Sequence, residues 1–114
     1  MKRIVVFLVI FLSSCTQYDQ EIIITNITES QELILKANKN GNAHSIHIHG
    51  AGHIKGNAEI ILMLNGNPYK TESLSGNVNF KWAGDWYSNN ATVIYKAENV
   101  TEGNLLLEYN FEVL

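Results

Sequence analysis

His44-Ser45-Ile46-His47-Ile48-His49-Gly50-Ala51-Gly52-His53-Ile54-Lys55-Gly56-Asn57-Ala58-Glu59-Ile60-Ile61-Leu62-Met63-Leu64 carries the most informative pattern of this chain. Its even positions hold Ile46, Ile48, Ile54, Ala58, Ile60, Leu62 and Leu64, and its odd positions hold Ser45, His47, His49, His53, Lys55 and Glu59. Successive side chains of a strand point to opposite faces, so this parity assigns one face to a core and the other to polar groups. The parity persists through Gly50, Gly52 and Gly56. That persistence predicts either one long bent strand or two strands joined by a glycine bulge. In both cases His47, His49 and His53 share the outward face.

The same period of two recurs on either side. Leu33 and Leu35 alternate with Glu32, Ile34 and Lys36, while Val78, Phe80 and Trp82 alternate with Asn79 and Lys81. Leu105, Leu107, Tyr109 and Phe111 alternate with Leu106, Glu108 and Asn110. Ile22 to Ile24 and Ala91 to Ala97 are rich in β-branched and aromatic residues, which favour a pleated, half-buried surface. No window of eleven or more residues after Cys15 carries a helical stripe. Gly-Asn recurs at Gly41, Gly56, Gly66, Gly76 and Gly103, and because both residue types tolerate positive φ the pairs predict tight reversals, with Asn65-Gly66 the best hairpin turn. Strand centres near Ile22, Leu33, Ile46, Ile60, Val78, Val93 and Leu107 predict an all-β fold. The expected architecture is a small antiparallel β-sandwich of about seven strands, with a small closed β-barrel as the alternative.

The N-terminus supplies an address. Lys2 and Arg3 precede an unbroken apolar run from Ile4 to Leu12, far short of the ~20 residues of a membrane-spanning helix, so it reads as a secretory signal. Leu12-Ser13-Ser14-Cys15 resembles the lipobox of bacterial lipoproteins. That resemblance implies that Cys15 is acylated (palmitate or a similar chain) and becomes the first mature residue, tied to a membrane by two or three acyl chains. The expected organisation is a signal peptide over 1–14, a lipidated tether over 15–21 and one β-domain over 22–114. The expected location is the bacterial cell envelope, periplasmic or surface-exposed. Cys15 is the sole cysteine, so no internal disulfide can form, and an acylated sulfur is neither nucleophile nor metal ligand. Loss of Lys2 and Arg3 leaves six lysines against eleven carboxylates, a formal charge of −5 that argues against a nucleic-acid partner.

Two clusters are candidate sites. All four histidines fall between His44 and His53, and imidazoles at i and i+2 on one strand face can share a metal ion, so His47, His49 and His53 form a candidate Cu or Zn site. Ser45-Ile46-His47-Ile48-His49-Gly50 resembles the His-x-His-Gly copper motif of multicopper oxidases, which implies ligand roles for His47 and His49. The other histidine-cysteine motifs of that family are missing, so its oxidase activity does not follow. The competing reading is a row of histidines facing water. The second cluster is Trp82-Ala83-Gly84-Asp85-Trp86-Tyr87, in which Trp82 extends the Val78/Phe80 core face. Trp86 and Tyr87 either cap the end of the domain or form a platform for a sugar, peptide or protein. Gly-x-Ser-x-Gly and His-Glu-x-x-His signatures are absent, and no enzyme activity is expected. The expected function is therefore a membrane-anchored, non-catalytic envelope module without a cofactor, binding an envelope protein or glycan; the alternative is an envelope Cu/Zn-binding protein.

Overall fold

The computed structural model describes residues 18–114 as six strands: β1 Gln20–Ile24, β2 Gln31–Lys36, β3 Ala43–Leu64, β4 Asn67–Asp85, β5 Asn90–Ala97 and β6 Glu102–Val113. All pairings are antiparallel, and there is no helix among the described residues. The all-β antiparallel expectation holds. The strand count is six because Ile46 and Ile60, counted as separate strand centres, lie on the single long β3. The expected signal peptide and Cys15 lie outside the described residues. β1 starts at Gln20, ahead of the expected boundary at Ile22, because Gln20 already pairs with Tyr109 on β6.

Everything is organised on β3. Its first part pairs with β6 on one side and its last part with β5, while β4 follows it on the other side along nearly its whole length. β1 then adds to β6 and β2 to β5, so one continuous sheet curls into a half-barrel. The curl is set where β3 bulges. Ile54 faces Gly76 and Asn57 faces Ser75, which leaves Lys55 and Gly56 as extra residues on β3. An insertion of two preserves side-chain parity, so Ile54 and Ala58 stay on the same buried face across the bend.

Gly56 and Gly76 make that bend possible, with φ of 118° and 65° in the region that side chains avoid. A Cβ on Gly56 would collide with the carbonyl of Asn99, in the connection between β5 and β6. That connection crosses the bulge and pins it: Glu98 N and Asn99 N donate to Asn57 O at 3.0 and 3.2 Å, and Thr101 N donates to Lys55 O at 2.9 Å. Here the glycine reading needs correction. Gly56-Asn57, Gly76-Asn77 and Gly103-Asn104 lie inside strands, not at reversals, because positive φ serves a bulge or bend as well as a turn. Asn65-Gly66 is the expected hairpin turn, with both φ values positive, as a type I′ turn requires.

One apolar cluster fills the concave side, drawn from Ile46, Ile48, Ile54, Ala58, Ile60 and Leu62 of β3 and from Leu33, Leu35, Val78, Phe80, Val93, Leu105, Leu107 and Phe111, whereas Leu64, expected on the same face, is exposed at the strand end. Full burial of each such side chain contributes about 1.5–3 kcal/mol. Gly50 belongs to this packing, since the Phe80 ring occupies the space its side chain would take. Tyr95 is fully buried, and its hydroxyl donates to Ile27 O at 2.6 Å, so no polar group is stranded there.

Candidate binding cleft

A straight strand of nineteen residues, the length of β4, would span roughly 60 Å. The curl instead brings the Asn65-Gly66 hairpin tip back to the segment that follows β4, and the ring centroids of Tyr69 and Trp86 lie 6.3 Å apart. Between these two ends opens a cleft of about 410 Å³, lined by Leu64, Asn65, Tyr69, Asp85, Trp86, Tyr87 and Ser88.

Local structure fixes the aromatic groups. Trp86 N donates to His44 O at 3.1 Å and its indole N–H donates to Asn90 O at 3.0 Å, which leaves the ring 5% exposed as the floor. Asn89 anchors the same loop: its side chain accepts from Ala43 N and donates to Gly41 O, both at 2.9 Å, and its carbonyl accepts from Ala37 N at 2.8 Å. Tyr69 is the extra residue of a second bulge, since Leu62 faces Lys70 and Met63 faces Pro68. A bulge re-aims a side chain, and Tyr69 is left 49% exposed at the cleft. Tyr87 is 77% exposed. The Lys70 ammonium lies 5.3 Å from the Tyr69 ring centroid.

The residues of the Trp82–Tyr87 cluster fall in different environments. Trp82 packs on Phe80 with centroids 4.9 Å apart and extends the core face, Trp86 closes the end of the domain, and Tyr87 is offered to solvent. Sequence reasoning missed Tyr69, Leu64 and Asn65. The signal for Tyr69 was an aromatic residue at odd parity on β4, where Leu74, Val78 and Phe80 mark even positions as core.

His47, His49 and His53 lie on the outward face of β3 as the parity predicted, each engaged by a neighbour. His47 Nε2 is 3.4 Å from Glu112, whose other oxygen accepts the Ser45 hydroxyl at 2.8 Å. His49 meets Glu108 through Nδ1 at 2.9 Å and Asn79 through Nε2 at 2.8 Å, and Tyr18 stacks on its ring. His53 Nδ1 is 3.0 Å from Asn77 Oδ1. His44 is the extra residue of a bulge against β6, which takes it off the core parity of its position. The hydrogen bond from Ser45 holds the Glu112 carboxyl below its ordinary range; partial desolvation opposes this, and His47 and His44 reinforce it. Among the described residues no three His, Cys, Asp or Glu side chains gather as a metal-holding group. Tyr18 packs on this face with its ring centroid 5.7 Å from that of His49, and burial and then Glu108 push its phenol up.

No protein-family model and no curated protein matches the chain. Among solved structures it is similar to the nucleoplasmin-like N-terminal domain of Drosophila FKBP39, at 16% identity and a TM-score of 0.33, covering 80% of this chain and 96% of that one. At that degree of similarity the likeness carries no weight for function.

Proposed function

We propose that the chain is a lipid-anchored bacterial envelope protein that binds its ligand without catalysis in the Tyr69/Trp86/Tyr87 cleft. The observation that carries this reading is the exposure of two tyrosine rings over a buried indole, in a cleft whose supporting loop is hydrogen-bonded from three directions. Large rings held still lose little conformational entropy on binding and supply much of the contact energy of recognition. The anchor rests on the lipobox-like Leu12-Ser13-Ser14-Cys15.

Two measurements test the two parts. A Cys15→Ser variant is expected to leave the membrane fraction or to stay unprocessed; mature-sized, membrane-bound protein would overturn the anchor. Amide NMR of the full chain during addition of soluble envelope extract is expected to show shifts concentrated at 64–69 and 85–88. Shifts concentrated elsewhere would overturn the cleft.

A further inference from the structure

We infer, taking the cleft as the binding site, that its ligand is a short uncharged glycan segment. A pyranose ring presents an apolar C–H face and an edge of hydroxyls, and the cleft offers the complement of both. Tyr69 and Tyr87 supply flat aromatic faces, and Trp86 supplies an apolar floor. Around them stand the Asn65 amide, the Asp85 carboxylate and the Ser88 hydroxyl, a mixed set of donors and acceptors suited to vicinal hydroxyl groups. The volume of about 410 Å³ falls in the range of small-molecule sites, roughly 300–1,000 Å³.

Charge and backbone chemistry narrow the class. Asp85 is the one charged residue in the lining, on a protein whose mature chain carries −5, so uronate and phosphorylated sugars are disfavoured. The Lys70 ammonium, 5.3 Å from the Tyr69 ring centroid, disfavours a cationic ligand at that ring. A peptide strand is recognised through free main-chain groups, and a proline-rich one through an aromatic groove. Here the Trp86 backbone N–H and the indole N–H are both turned inward, onto His44 O and Asn90 O. At Trp86, then, only the ring face is left to meet a ligand, and with the polar side chains around it that face matches the C–H face and hydroxyls of a sugar.

The test is calorimetric titration of the lipidated full chain, in micelles of a zwitterionic detergent that contains no sugar. The probes are neutral hexose, N-acetylhexosamine and pentose oligosaccharides in α and β linkage, their uronate counterparts, and a capped peptide library. Saturable binding of a neutral oligosaccharide is expected. Tyr69→Ala and Tyr87→Ala should each weaken it at least about tenfold, and exposure of both rings lets these variants fold where a Trp86 variant would risk the core. The uronate counterpart should bind about two- to fivefold more weakly, a gap that Asp85→Asn narrows. Peptide binding sensitive to Tyr87→Ala, with no neutral oligosaccharide bound, would overturn the glycan assignment and leave the cleft as the site. Binding that neither tyrosine variant changes, or no binding by any probe, would overturn both.

Discussion

The histidine face and the aromatic cleft both begin as clusters of ring side chains, and the fold treats them in opposite ways. On the histidine face, rings at alternate positions of β3 meet groups delivered by the adjacent strands: Glu108 and Glu112 from β6, Asn77 and Asn79 from β4. At the cleft the rings come from the two ends of β4, and Tyr69 and Tyr87 are left exposed over the buried Trp86. One cluster depends on local register, the other on closure of the whole sheet. Ring side chains are therefore left exposed where strand pairing does not reach them.

The largest way to break this contrast is to loosen the core both regions share. Ile60, 1% exposed on β3, is expected to cost about 2–5 kcal/mol when changed to Ala, whereas Lys55→Ala, on the exposed face, should stay within about 0.5 kcal/mol. Chemical denaturation of both variants checks it, and equal losses would refute the assignment of faces. A more selective blow is Gly56→Ala, which places a side chain at φ 118° against the Asn99 carbonyl. Strain alone is expected to cost about 1–3 kcal/mol. NMR should show the signals of Tyr69 and Trp86 moving while the pairings of His49 with Glu108 and Asn79 persist. If the histidine pairs are lost first, the two regions are not separable in this way.

The smallest effect sharpens the histidine side. Glu112 has a folded-state pKa below its ordinary value, so its contribution to stability is present above the unfolded value of 4.5 and is lost as pH falls through the lower folded value. Ser45→Ala removes the largest cause, the hydroxyl hydrogen bond, and should move the Glu112 carboxyl back up in an NMR titration. An unchanged midpoint would show that the histidines alone set it.

Much of the fold was legible because parity survives its one great irregularity. Had β3 gained a single extra residue at Gly56, Ala58, Ile60 and Leu62 would have read as out of phase with Ile46 and Ile48; the insertion of two kept them in phase. The bend itself was half visible: Gly50, Gly52 and Gly56 suggested a bulge, but Gly76-Asn77 and Gly103-Asn104 read as turns because positive φ alone does not distinguish a reversal from a kink. The outward histidines were legible, but their partners on β4 and β6 were not, since register is a property of two strands. Tyr69 was hidden for a stronger reason. Its neighbour in space, Trp86, is separated from it by nearly the full length of β4, and only the curled sheet brings the two together.

The bend has a further consequence for the free edge of the sheet. Among the described residues β4 pairs only with β3, so its other edge presents free main-chain groups along the longest exposed border of the sheet. A flat edge of that length would template pairing with another chain. Gly76 interrupts that border midway, and Pro68, Lys70 and Lys81 further blunt its two short remainders. The same kink that shapes the cleft thus keeps the unpaired border from forming one flat template.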